Sequence, residues 1–221
     1  MADKRTLDFT LLPTIPKTLP LLIKPSWDGY PALVQLGDIY ERMECCFHFL
    51  FLRDDQNGTV YDKAYFRAAL YEFISISEVL NESSDPTLRK LSINNTPHPL
   101  FHFFHLLRAV SFHIKLFQHK NLETNSMVVN LASGEPVVDS DGIVQNMKGQ
   151  LLIIENCDYD LLKSNNRKSY NDYDLIDVAQ WVNDHQKDVG IRYLLYLTLC
   201  DYCKHIGVRL KLHQNFGTFL V

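Results

Sequence analysis

Arg108 and His113 are the two residues of this sequence whose types and spacing best suit chemistry. An imidazole that titrates near neutral pH can take a proton from a hydroxyl, and a guanidinium can clamp a phosphate and the negative charge that builds on it. Together they suit metal-independent cleavage of single-stranded RNA, in which the 2′-hydroxyl attacks the neighbouring phosphate; His113 is then the general base and Arg108 the clamp. DNA lacks that hydroxyl. On a continuous helix five residues turn ~140° and climb ~7.5 Å, so the two side chains flank a face instead of stacking on it. One copy makes a poor site, whereas a twofold homodimer built on that helix brings two Arg and two His into one interfacial cleft. Ser111, between them, is placed to orient the phosphate, and His105, one turn before Arg108, to add donors to the same cleft. The competing reading is an Arg in a surface ion pair and a His capping a core.

Other candidates are weaker. His98, His102 and His105 fall on one helical face, a spacing that could hold zinc, yet no carboxylate or thiol lies close in sequence, and His102 reads as an ordinary surface residue. Cys200 and Cys203 with His205 resemble half a zinc site without the other half, and they sit in the apolar run that holds Leu194, Leu195, Leu197 and Leu199. These cysteines, and Cys45-Cys46, read as packing, so no metal or cofactor is expected. Asn165 to Tyr170 is a short basic stretch that reads as a solvated loop before it reads as an RNA contact. Asp158-Tyr159-Asp160 and Asp172-Tyr173-Asp174 read as charge at helix N-termini. No Gly-rich phosphate loop and no nucleophile elbow occurs.

The elements that must position these residues are mostly helices. Residues 1–29 carry Pro13, Pro16, Pro20 and Pro25, which predicts an extended arm lying on the body. From Pro31 to Arg53 apolar residues recur at three and four, and again from about Tyr61 to Leu80; the polar turn Asp54 to Gly58 makes these two an antiparallel hairpin. A third helix is predicted from His98-Pro99 to beyond Phe117, with Leu100, Phe103, Phe104, Leu107, Val110, Ile114 and Phe117 on one side and Phe101, Ala109, Phe112 and Leu116 on the other. A helix apolar on two sides is central in its bundle or packs on a second chain. At about 124–156 short β-branched and apolar runs between Ser133-Gly134, Asp141-Gly142 and Lys148-Gly149 predict a small hairpin or three-stranded insertion. Helices resume over Asp174 to Gln186 and Gly190 to about His205, and Val208 to His213 alternates like a late edge strand. The expected architecture is a mainly α bundle spanning 30–221 as one domain, with the β insertion and the arm attached.

Composition sets the frame. The 221 residues are 46% hydrophobic and 12% aromatic, too apolar for a disordered chain. Twenty-two Lys plus Arg against 26 Asp plus Glu give a net charge of −4, so no bulk positive field advertises nucleic acid or an anionic membrane. No apolar run approaches the ~18 residues of a membrane span, and five reduced cysteines in apolar segments fit a cytoplasmic protein.

The order helix, short turn, helix, and then the run from His98 to Ile114 with Arg108 and His113 inside it, resembles the HEPN superfamily over about residues 30–120, and to the end if the last helices complete the bundle. That family carries an Arg-x4–6-His motif on a late core helix. The resemblance implies a HEPN-like helical bundle, and many members are dimeric endoribonucleases of toxin–antitoxin, phage-defence or RNA-processing systems, which leave a cyclic phosphate and a 5′-hydroxyl. It also allows an antitoxin or another protein as partner. Ala109 stands where the family usually places Asn, Asp or His after the motif Arg. That departure favours the alternative, a non-catalytic HEPN-like module that binds RNA, a nucleotide or a protein.

Overall fold

The computed structural model describes residues 4–16, 22, 36–52, 60–110, 117–127, 146–155, 157, 159–163 and 169–209. Helices dominate, and the fold is mainly α.

Helix α1 (Asp38–Phe51) starts after Gly37, whose φ of 56° is a backbone shape that glycine takes at little cost, and Asp38 and Glu41 place negative charge in its first turn. It buries Ile39, Met43, Cys46, Phe47 and Leu50, one face at spacings of three and four. Helix α2 (Val60–Glu82) buries Phe66, Ala69, Leu70, Phe73, Ile76 and Leu80. The two are antiparallel: Arg42 bonds Glu72 at 2.8 Å, and the Cys46 thiol donates to the Ala69 carbonyl at 3.2 Å. Residues 31–35 and 53–59, where the sequence places the start of the first helix and the polar turn, lie outside the described residues.

Asp85 then caps the short α3 (Pro86–Arg89), accepting from the Thr87 amide at 2.7 Å. A 3-10 turn at Ile93–Asn95 leads into α4 (Pro99–Val110). Leu100, Phe101, Phe103, Phe104, Leu106 and Leu107 are all buried within this chain. Phe73 is the hub, with ring centroids 6.3 Å from Phe101, 6.2 Å from Phe104 and 5.6 Å from Tyr202, and edge-to-face contacts throughout.

Contrary to the expectation of a helix running beyond Phe117, Phe117 opens β1 (Phe117–Met127); α4 is described to Val110, and residues 111–116 lie outside the described residues. β1 pairs antiparallel with β2 (Asn146–Ile154) from Phe117 opposite Ile154 to Glu123 opposite Lys148, with an irregularity before Met127 opposite Asn146. The insertion therefore begins before residue 124, as a two-stranded ribbon among the described residues; residues 128–145, including Glu135 to Val138, lie outside them. The reason is tertiary. β2 buries Leu151, Leu152 and Ile154 beside the last long helix, and Gln186 on that helix fixes the end of β2 by donating to the Ile154 carbonyl at 3.1 Å and accepting its amide at 2.8 Å.

After the short α5 (Tyr159–Lys163) comes α6 (Asp172–Arg209), two helical arms that meet at Gly190, where φ 78° and ψ 155° interrupt the helix. Val208 and Arg209 end α6 and form no edge strand; residues 210–213 lie outside the described residues. The N-terminal segment lies on this frame. Arg5 bridges Tyr170, the Leu7 amide donates to Asp174 Oδ2 at 3.0 Å, and the Asp8 amide donates to the Pro97 carbonyl at 2.8 Å. Among the described residues no helix is long and apolar enough to cross a membrane.

Candidate functional site

Arg108 sits in the last turn of α4 and points back to α2. Its Nη1 donates to Glu78 Oε1, and its guanidinium lies 4.9 Å from the ring centroid of Tyr71. The side chain is 26% exposed and that of Glu78 48% exposed, so the arginine stands at the surface with an anion on it. His105 is half-buried one turn earlier. Burial first, and then the charge of Arg108, lowers its pKa, with Glu78 working the other way. Its Nδ1 is buried and makes no hydrogen bond. Ser111 and His113 lie outside the described residues. Of the four residues expected in the site, Arg108 and His105 are the two described, one turn apart on α4.

His102 is a structural residue and no surface histidine. It is 1% exposed, and both ring nitrogens are occupied. The Thr96 carbonyl can only accept, so Nε2–H donates to it, at 2.7 Å, and Nδ1 accepts from the Tyr170 hydroxyl, also at 2.7 Å. Neither nitrogen is left for a metal. Among the described residues no group of three His, Cys, Asp or Glu is arranged to hold one. Cys46, Cys157 and Cys203 are buried as packing predicts, and Cys200 is largely so, while Cys45 is exposed on α1.

At the other end of α4, ten residues and about 15 Å from Arg108 along the axis, His98 faces a cleft of about 320 Å³. Leu11, Phe101, Asp201, Lys204 and Val208 are among its walls. His98 is 7% exposed and lies flat on Phe101, with centroids 4.0 Å apart and 9° between planes. Its Nε2 is 3.9 Å from Asp201 Oδ2, and the Leu11 backbone is near the ring, but neither ring nitrogen makes a well-formed hydrogen bond. Burial, reinforced by the charges of His102 and His205, pushes its pKa down to about 4. Burial raises the pKa of Asp201 while Lys204, three residues on, opposes that shift. Sequence reasoning missed this cleft because Asp201 and Lys204 belong to an apolar-looking helix far along the chain.

His102 is also pushed down to about 4 by burial, against the opposing bond to Thr96. Both histidines are neutral when folded and take up protons near pH 6.5 once unfolded. The stability that each contributes is complete above 6.5 and is lost as pH falls from there toward 4. Between pH 6 and pH 5 that is up to ~1.4 kcal/mol for each residue. Urea unfolding at the two pH values is expected to show a decline for the parent chain that is shallower by about this amount in His102→Gln. An unchanged decline in the variant would refute the assignment.

No protein-family model, characterised protein or solved structure matches the chain.

Proposed function

We propose that this chain is a HEPN-like helical module that works by binding RNA, a nucleotide or a protein partner without cutting RNA, and that it does so in the cytoplasm. The observation that carries the reading is the carboxylate of Glu78 on the guanidinium of Arg108, with Tyr71 beneath it. A phosphate brought to that guanidinium would stand next to Glu78. Their repulsion, screened at a half-exposed site to the ~1 kcal/mol scale of a surface ion pair, offsets part of the guanidinium's pull and weakens it as a transition-state clamp. Ala109 adds no polar group to offset this.

A second reading, the homodimeric metal-independent endoribonuclease, is favoured by one observation: Glu78 is half exposed, so its hold on Arg108 is a surface interaction that a second chain's Arg108 and an RNA phosphate together could displace. The two readings separate in one experiment. Labelled single-stranded RNA is incubated in EDTA with the protein and with Glu78→Gln, Arg108→Ala and His113→Ala, and the ends of any products are analysed. The binding reading expects intact RNA in all four. It also expects Glu78→Gln to bind RNA roughly 5–10-fold more tightly by fluorescence anisotropy, since one cation is released for a phosphate. A cyclic-phosphate product that persists in EDTA and disappears in Arg108→Ala and His113→Ala would overturn the binding reading and establish the nuclease.

A further inference from the structure

We infer that the cleft at the N-terminal end of α4 is a binding site for a small zwitterion of the free amino-acid class, its ammonium held between Asp201 and His98 and its carboxylate by Lys204. The inference is independent of the reading at Arg108, which lies at the opposite end of the helix.

Size comes first. A cleft of about 320 Å³ lies at the lower end of the range for small-molecule sites, ~300–1,000 Å³, and suits a metabolite better than a polymer strand. Polarity then restricts the class. Buried polar side chains are nearly always hydrogen-bonded, yet the nine-tenths-buried His98 has the Leu11 backbone near its ring and makes no well-formed bond. The 3.9 Å from its Nε2 to Asp201 Oδ2 is too long for a direct bond and leaves a donor room to bridge the two. A neutral imidazole offers one lone pair, and the carboxylate only accepts. With that lone pair on Nε2, a group that bonds both donates at least twice, as an ammonium does. Its charge also compensates a carboxylate whose pKa is raised by burial.

The rest of the wall fits the remainder of such a molecule. Lys204 is exposed at the rim three residues after Asp201, where it can take a carboxylate, while Leu11, Phe101 and Val208 give apolar surface for a side chain. An anion alone would meet Asp201, and a simple cation would meet Lys204. A zwitterion satisfies both.

The test uses the full chain. Thermal unfolding is followed with each of the twenty free L-amino acids at about 10 mM, and the strongest ligand is compared with its amide, which lacks the carboxylate, and its des-amino acid, which lacks the ammonium. A ligand of ~1 mM affinity is expected to raise Tm by roughly 3–5 °C, with the amide giving a smaller shift and the des-amino acid none. Asp201→Asn is expected to abolish the shift. Lys204→Met, a change at an exposed side chain, is expected to equalise amino acid and amide. No shift above about 1 °C with any amino acid, an undiminished shift in Asp201→Asn, or a des-amino acid that works as well as its parent, would overturn the inference.

Discussion

Arg192→Ala is expected to lower the unfolding free energy by about 3–5 kcal/mol, which is a drop of roughly 1–3 M in the urea midpoint. The residue is 8% exposed, just ahead of the apolar run that begins at Tyr193. Its guanidinium ties the C-terminal end of α1 to the first turn of α2. Nη1 donates to the carbonyls of Leu50 and Leu52, and Nη2 to the carbonyl and carboxylate of Asp62, at 3.2 and 3.1 Å. Leu50 and Leu52 lie at the end of α1, where carbonyls have no helical partner, so the arginine serves as a cap delivered from another helix. Alanine strands those carbonyls and leaves Asp62, whose side chain is 18% exposed, without its cation. Lysine keeps the charge without the planar fork and is expected to recover only part of the loss. A midpoint within about 0.3 M of the parent would show that the cap is dispensable.

The second large effect is expected at Gly190. Its φ of 78° with ψ of 155° belongs to a region that side chains with a Cβ essentially never occupy. A methyl group there would also meet Leu151 Cδ2 at 3.2 Å and the Leu152 carbonyl at 3.4 Å. The leucine tip can move aside and the backbone oxygen cannot, so most of the penalty is conformational. Gly190→Ala is expected to cost about 1–3 kcal/mol, or roughly 4–10 °C in Tm for a chain of this size. A Tm within about 2 °C of the parent would mean that the two arms of α6 can join through another backbone shape.

What could be read from the sequence, and what could not, divides along the range of the interactions. The stripes of α1 and α2 and the Pro99 start of α4 are local signals, and the chain obeys them. Phe117 continues the helical stripe of the sequence, yet it opens β1, because it pairs with Ile154 on β2, which Gln186 holds. The same holds for the candidate sites. Arg108 stood out by its type, but its partner Glu78 lies thirty residues back on α2, and only the packing of α2 on α4 reveals that the guanidinium is already engaged. His102 reads locally as a surface residue because a histidine gives no local sign of burial; Thr96 and Tyr170 make it interior. Arg192 did carry a sign, a charge amid Ile191, Tyr193, Leu194 and Leu195, which asks for a buried acceptor set.

The N-terminal segment docks on residues made long after it. The amide of Leu7 waits for Asp174, 167 positions downstream, and Arg5 for Ser169 and Tyr170. At ~5–20 residues per second, synthesis of the intervening chain takes roughly 10–30 s. During that interval the Leu7 amide and Arg5 lack these partners, and the His98 cleft lacks Asp201, Lys204 and Val208, which follow later still. A partly made chain thus carries His98 without half of the groups that surround it.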